Sequence, residues 1–540
     1  MTWVHPLTAA VEEPAGVLGG KAYGLVVLRR LGLPVPPGFI IGTGACRAFL
    51  RAGRFPTGLD GDLRAAVHQL EAATRRRLGD PARPLVVSVR SGASVSMPGM
   101  MSTILNVGLT TATTAGLAAE TGDRRFAFDS RLRFLAGFAP VVHGVAPERL
   151  AAVVRQAAEH RAGCDEAGLA DSIDGVEALV RARAGGSVPD NAMRQLELAV
   201  EAVFASWDTP RARTYRRLHD IPDDLGTAVT VQAMVYGNRD DRSGSGVAFS
   251  RDPNTGERVP FGEVLFGCQG DDVVAGRSRT RPLADLAARA PGGWTALRAA
   301  LARVEGHFRD ACSVEFTVEA GALWLLQVRP GGLVGRAAVR VAVDLADEGV
   351  IDRREALRRV SPRHLENVRT PRIAAAPPAD VLTRGLGACP GVAVGAVATT
   401  ADKAARMAVS GPVILVRPET SPLDMRGLAA AAGVVTARGG PASHAAVVAR
   451  TLGKPAVVGA ADLAVDAVAG RVHAGGRTIG DGTLVTIDGT SGEVVVGNPR
   501  IVPGGDDPHL RRLLGWADDI TGETSARSEV DRLTAARAVL

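Results

Sequence analysis

Residues Thr436 to Arg450 read Thr-Ala-Arg-Gly-Gly-Pro-Ala-Ser-His-Ala-Ala-Val-Val-Ala-Arg. Gly439 and Gly440 make a bent loop, Ser443 has the side chain of a helix N-cap, and Ala445 to Ala449 give the following helix a face to bury. His444 then falls in the first helical turn. A helix N-terminus carries partial positive charge, which disfavours imidazolium and leaves a neutral, nucleophilic ring. The free N–H groups of the same turn would stabilise a phosphoryl group attached to that ring. A lone histidine in such a place is more often a capped surface residue, so the reading depends on partners elsewhere in the chain.

Around this stretch, Gly385 to Gly497 is rich in Gly, Val and Ala in short strand-like runs, which sets off a domain at 381–505. Ahead of it lie a helical stretch at 338–360 and a proline-rich joint containing Pro371, Pro377 and Pro378, together a linker over 336–380. Behind it a charged tail, 506–540, holds one expected helix. The first domain is expected over 1–335. It opens with Gly19-Gly20-Lys21, an amphipathic run from Ala22 to Leu31 and the stop Gly32 to Pro37. A short strand, Leu85 to Val89, runs into a loop rich in Gly, Ser and Met ending at Gly99. Helical spacing fills about 111–225, and 227–329 turns strand-rich. This alternation indicates an α/β and α+β multidomain fold.

At 540 residues the chain is long enough for two to four domains with real cores. Its apolar fraction of 46% and charged fraction of 22% are those of a globular protein. A net charge of +6 over this length excludes a basic nucleic-acid stripe as the main theme, and 4% aromatics leave few stacking platforms for single strands. No stretch reads as a membrane span. The start, Met1 to Gly16, lacks a basic segment followed by an apolar run, and the five cysteines stand apart without metal or disulfide spacing. A cytoplasmic enzyme is therefore expected, with neither nucleic acid nor membrane as partner.

Three further groups carry possible chemistry. Lys21 follows two glycines at a helix start, where a cation could reach phosphate over exposed backbone N–H groups. The spacer and the Ser/Thr of a P-loop are missing, and a solvated lysine is the plain alternative. Arg90 ends a buried strand and suits bidentate phosphate contact. Glu315 to Glu319 and Leu323 to Arg329 alternate like adjacent strands of a hairpin, with Glu315 and Gln327 on one face and Arg329 beyond. A carboxylate, an amide and a guanidinium there could hold a metal–nucleotide complex, or simply pair across strands. Ser243-Gly-Ser-Gly246 ahead of a strand reads as a flexible turn or a phosphate loop.

Taken together, these residues resemble the family of pyruvate phosphate dikinase and related phosphoenolpyruvate-utilising enzymes. The matching stretches are Gly19-Gly-Lys21, Gly32-Leu-Pro-Val-Pro-Pro-Gly-Phe39, Ser88-Val-Arg-Ser-Gly92, Ser96-Met-Pro-Gly-Met-Met101, Gly246-Val-Ala-Phe-Ser-Arg-Asp-Pro253 and Gly439 to Arg450. They span residues 3 to about 515. The resemblance implies an ATP-grasp domain binding MgATP and a swivelling phosphohistidine domain in which His444 takes the β-phosphoryl group. It carries nucleotide and phosphate binding onto Lys21, Arg90, Arg133, Glu315, Gln327 and Arg329, with Arg90 and Arg329 beside His444 in catalysis. Glu315 and Gln327 are the implied Mg²⁺ ligands. Gly99, Ser245 and Gly246 fall where family backbone loops approach the phosphates.

Three departures stand out. Ser313 replaces the acidic metal ligand usual two residues before the glutamate, and a hydroxyl is a poorer Mg²⁺ ligand than a carboxylate. Ala442 replaces a threonine that plant dikinases phosphorylate for regulation. Leu513 to Asp519 looks like the family's approach to a barrel of about 250 residues, yet the sequence ends at Leu540. The expectation is a dikinase-type phosphotransferase whose barrel, and with it the pyruvate half-site, is supplied in trans. Its partners would be ATP, inorganic phosphate and a separate acceptor protein or small molecule, pyruvate included; a homodimer is compatible. The alternatives are a phosphohistidine relay or regulatory protein, and a nucleotide-binding pseudoenzyme motivated by Ser313.

Overall fold

The strand Ala228–Ala233 has five successive buried residues, so both of its faces are covered. It forms the centre of an antiparallel five-stranded sheet ordered Val4–Pro6, Gly38–Ile41, Ala228–Ala233, Val87–Gly92, Thr103–Val107. The structure, a computed structural model, describes every residue except 1, 96, 98–99, 161–165, 276–279, 375–379, 442 and 524–526, and the side chains of 155–160, 218, 274, 275 and 366. Two expectations, on Gly99 and Ala442, therefore lie outside the described residues, as do Pro377 and Pro378 of the proline-rich joint.

The chain divides into two compact units, Met1–Val235 with Trp324–Gln327, and Tyr236–Leu323 with Val328–Leu540. The boundary after Val235 falls inside the stretch 1–335 expected as the first domain. Trp324–Gln327, within the strand Ala322–Pro330, falls with the first unit, where the Leu325 N–H donates to the Pro34 carbonyl at 2.8 Å. In the first unit the helices Thr43–Ala52 and Ala192–Ser206 pack on the central strand. The helices Thr111–Thr121, Arg124–His143, Pro147–His160, Glu166–Ala184, Ala192–Ser206 and Pro210–Leu218 occupy the stretch read as helical. Phe134, Phe138, Phe204 and Trp207 join their faces to the sheet in one core.

The second unit starts with a sheet ordered Ala322–Pro330, Cys312–Glu319, Gly244–Phe249, Phe261–Phe266, Arg281–Pro282. Alternation along Cys312–Glu319 buries Val314, Phe316 and Val318, with the helix Pro291–Phe308 packed on the strand. Ser313, Glu315 and Thr317 share the opposite face with their cross-strand partners Phe249, Val247 and Ser245. Ser245 and Gly246 thus lie inside a central strand rather than in a loop ahead of it. A Cβ on Gly246 would come 2.2 Å from the Glu263 carbonyl oxygen, so strand packing requires that glycine.

The expected linker and tail are instead halves of one helical body. Gly335–Asp347, Arg353–Arg359 and Pro362–Glu366 share a core with Pro508–Thr521 and Glu529–Ala538. The last two helices bury Leu510, Leu513, Leu514, Trp516, Leu533 and Ala536, where a single helix in a charged tail was expected. Arg251 is fully buried and binds Glu305 on the helix Pro291–Phe308 at 2.8 Å and Glu348, at the end of the body's helix Gly335–Asp347, at 3.1 Å.

From the helical body the chain enters an eight-stranded sheet through Arg372–Ile373 and returns through Ile501–Val502, and these two short strands pair antiparallel. The sheet is ordered Val381–Arg384, Glu493–Val496, Leu484–Asp488, Val392–Ala398, Val413–Arg417, Gly433–Thr436, Ala456–Val458, Leu386–Cys389. Val392–Ala398, Val413–Arg417, Gly433–Thr436 and Ala456–Val458 run parallel. Loops leaving the carboxyl ends of neighbouring parallel strands meet at one edge, the usual place for a ligand in such sheets.

Candidate functional site

His444 is the first residue of the helix His444–Leu452, which follows the parallel strand Gly433–Thr436. The next strand over, Val413–Arg417, is in register with it, Arg417 opposite Thr436, so the loops after the two strands lie side by side. Ala437 and Arg438 donate their N–H groups to the Arg417 and Pro418 carbonyls at 3.1 and 2.9 Å. The Arg438 guanidinium binds the Glu419 carboxylate at 2.7 Å. This pairing brings Thr420 Oγ within 3.0 Å of His444 Nδ1. Among the described residues the other ring nitrogen, Nε2, is buried and has no hydrogen-bond partner. Nδ1 is held, and Nε2 is without a partner among the described residues.

Behind Thr420, Ser421 and Asp424 form a capping box in which Asp424 accepts the Ser421 N–H at 2.8 Å. Arg417 Nε lies 3.2 Å from the Asp424 carboxylate. Burial pushes the His444 ring below the usual imidazole range, and the Asp424 carboxylate opposes that shift. Burial thus favours the neutral ring, the same direction as was expected from the helix terminus. Thr420 and Asp424 were not singled out in the sequence, although Ser421-Pro-Leu-Asp424 is a readable capping box.

The loop between strand and helix is fixed from several sides. Gly439 has φ of +95°, which favours glycine. A Cβ on Gly440 would lie 1.6 Å from Glu263 Oε2 on the strand Phe261–Phe266. Glu263 is buried and accepts the Thr280 hydroxyl at 2.6 Å. The buried guanidinium of Arg450 donates to the Pro441 carbonyl at 2.5 Å and to the Ala388 carbonyl at 3.0 Å. It also lies 5.8 Å from the centre of the Phe249 ring. Burial brings Arg450 down to about 10, against the pull of Cys389 and Glu263. Ser443 is the N-cap by position, but its side chain makes no capping bond, contrary to the expectation.

The face of the second unit's first sheet that carries Glu263 is the one that carries Glu315, since both pair across to Val247. Arg329 forms an ion pair with Glu315 at 3.2 Å. Ser313, two residues earlier on the same face, approaches the Arg329 carbonyl at 3.5 Å. Among the described residues no cluster of three or more His, Cys, Asp or Glu could hold a metal by itself. One carboxylate with neutral oxygen donors still fits Mg²⁺, a hard cation that proteins bind through one or two carboxylates together with a nucleotide's phosphates.

In the first unit, Lys21 is the second residue of the helix Gly20–Arg30. Gly19, at φ of +77°, has room for no Cβ because the Gly92 carbonyl oxygen would be 1.7 Å away. The Gly20 N–H donates to the Ala93 carbonyl at 2.9 Å. These glycines therefore serve close packing, and the Gly20 N–H is taken up within the fold. The approach places Lys21 beside Gly92, at the end of the strand bearing Arg90. Arg90 donates to the Leu326 carbonyl at 3.0 Å, next to buried Gln327. Arg133 lies on the helix Arg124–His143 and binds Asp129 one turn earlier at 2.8 Å. The structure thus gathers Lys21, Arg90 and the Gln327 strand in one unit, and Glu315 with Arg329 in the other.

Comparison with known proteins gives the same order of parts. Residues 54–282 match the pyruvate phosphate dikinase AMP/ATP-binding domain, and residues 409–492 match the mobile domain of PEP-utilising enzymes. Pyruvate, phosphate dikinase 2 of Zea mays is 42% identical over 93% of this chain and 58% of its own length. Pyruvate, phosphate dikinase of Rhizobium meliloti is 40% identical over 98% of this chain and 62% of its own length. The chain thus spans little more than half the length of these curated relatives. Among the described residues no helix is long and apolar enough to cross a membrane. Two domain matches, and relatives about 40% identical over nearly all of the chain, support placing it in the pyruvate phosphate dikinase family.

Proposed function

We propose that the chain is the nucleotide- and phosphohistidine-bearing part of a dikinase-type phosphotransferase. The observation that carries this reading is the state of His444, with Nδ1 held by Thr420 and Nε2 buried and without a partner among the described residues. A neutral ring so held is a nucleophile, and burial favours the neutral form. Nε2 attacks the β-phosphorus of ATP and AMP leaves. Inorganic phosphate then takes the γ-phosphoryl group as diphosphate, and the β-phosphoryl group stays on Nε2. Atoms and charge balance without any further reactant.

Lys21, Arg90, Arg133 and Arg329 neutralise phosphate charge in this reading, with Arg90 and Arg329 acting on the transferring group. Phosphoryl transfer is mainly positioning and charge stabilisation, which suits such a set. Ser245 and Gly246 contribute through the backbone and shape of their strand. Glu315 and Gln327 would hold Mg²⁺, which supplies charge neutralisation at the phosphates when bound. The phosphohistidine domain swings as a rigid body to reach its acceptor, pyruvate or a separate acceptor protein. A cytoplasmic setting and a homodimer are part of the proposal.

Intact mass after incubation with MgATP, with and without phosphate and beside His444→Asn, tests the reading while AMP is followed. One acid-labile phosphoryl adduct on the unaltered chain alone, with AMP formed, is the expected result. Nucleotide binding without adduct or AMP would instead favour the pseudoenzyme, a second reading motivated by Ser313 in place of a carboxylate. Restoration of turnover by Ser313→Asp would then identify the cause.

A further inference from the structure

Ser443 and His444 are consecutive residues at the start of one helix, and each has a buried polar atom without a partner among the described residues: Ser443 Oγ and His444 Nε2. Ser443 is only 4% exposed. Its backbone is fixed, because its N–H donates to the Gly440 carbonyl and its carbonyl accepts the Val447 N–H, both at 3.0 Å. Its hydroxyl sits at the N-cap position and makes no capping bond. Thr400 and Ser528, at the same position of their helices, do cap, accepting from the Lys403 and Asp531 N–H groups. A buried hydroxyl is rarely left unsatisfied without a reason. Here two such atoms stand at a positive helix terminus, a setting that selects an anionic occupant.

We propose that the Ser443 hydroxyl is a catalytic hydrogen-bond donor to the phosphoryl group carried by His444. The proposal rests on the reading of His444 as phosphoryl acceptor and adds a residue to it. When the Nε2–P bond forms, a phosphoryl oxygen accepts the Ser443 O–H and both orphaned atoms become satisfied together. No proton is transferred, since the serine only donates a hydrogen bond. The interaction exists only once the phosphoryl group arrives, so it acts on the transfer step rather than on nucleotide binding. A capping serine would instead stabilise the helix at all times.

The test is the rate of phosphohistidine formation from MgATP and phosphate in the full chain, for Ser443→Ala, Ser443→Thr and His444→Asn, with unfolding midpoints measured alongside. Ser443→Ala is expected to form the adduct about a hundredfold more slowly, the usual effect of losing one such donor. Its nucleotide affinity and unfolding midpoint should stay unchanged, and Ser443→Thr should recover most of the rate. An alanine variant that reacts at the unaltered rate overturns the role of Ser443 while leaving His444 as acceptor. A fall in its unfolding midpoint that threonine repairs marks a structural cap and also overturns the proposal. Absence of any adduct on the unaltered chain removes the His444 reading itself, and this one with it.

Discussion

Two stretches of the chain place a pair of glycines at or before a helix start, Gly19-Gly20 with Gly20 opening its helix and Gly439-Gly440 before His444, and they use them differently. In the first, Gly19 lets the helix touch the Gly92 carbonyl and the Gly20 N–H is taken up by Ala93. The backbone there is satisfied internally, and any chemistry is left to the Lys21 side chain. In the second, the glycines bend the chain beside buried Glu263, and the helix that follows begins with a ring nitrogen that nothing described satisfies. A glycine pair signals close approach in both places. Only the neighbouring polar atoms distinguish a packed turn from a reactive one.

Substitutions at the two pairs should separate them. Gly19→Ala meets backbone and a positive φ at once, so it should destabilise the chain by about 3 kcal/mol or more, read by urea denaturation. Arg450→Met removes the buried donor to Pro441 and Ala388, and an effect of about 2 kcal/mol is expected from two carbonyls left wanting. Phosphohistidine formation should fall in the same variant, because the loop before His444 loses its clamp. Gly440→Ala meets side-chain atoms only, of Glu263 and its partner Thr280, and should cost less, about 1–2 kcal/mol. Equal losses for Gly19→Ala and Gly440→Ala would erase the contrast.

A gentler probe is pH. Burial lowers the His444 pKa, so the ring stays neutral below the ordinary imidazole range and autophosphorylation should persist into mildly acidic solution. The folded state takes up this proton less readily than the unfolded chain. The stability contribution is therefore complete above the unfolded value near about 6.5 and declines as pH falls below it. Asp424 opposes the shift, so Asp424→Asn should move the acid limb of the phosphorylation rate to still lower pH. A limb that moves upward would show that another group controls the ring.

The turn before His444 was legible because its signals are local. A bent glycine loop and a run of small apolar residues state a helix with His444 in its first turn. Thr420 was harder to find, since its role comes from the register between two parallel strands. The nearby capping box announces a turn and says nothing of the histidine it will face. The apolar spacing of Leu510, Leu513, Leu514 and Ala517 states a buried face, yet only the fold reveals that Val339, Val343 and Leu357 share its core. The division near Val235 was illegible for a similar reason, because a strand some ninety residues later belongs partly to the first unit.

The ribbon formed by Arg372–Ile373 and Ile501–Val502 gives the domain built on the eight-stranded sheet a particular topology. Ile373 sits directly opposite Ile501, and Ala374 donates its N–H to the Arg500 carbonyl at 2.9 Å. Opposed residues of an antiparallel pair have Cα atoms about 5 Å apart. Everything from 374 to 500 is thus a cassette whose two ends meet, inserted at one point of a helical body built from both flanks. A two-residue hairpin turn is short enough to close the gap. The two flanks of the helical body therefore come within one turn's reach of each other at the point where the cassette leaves and returns.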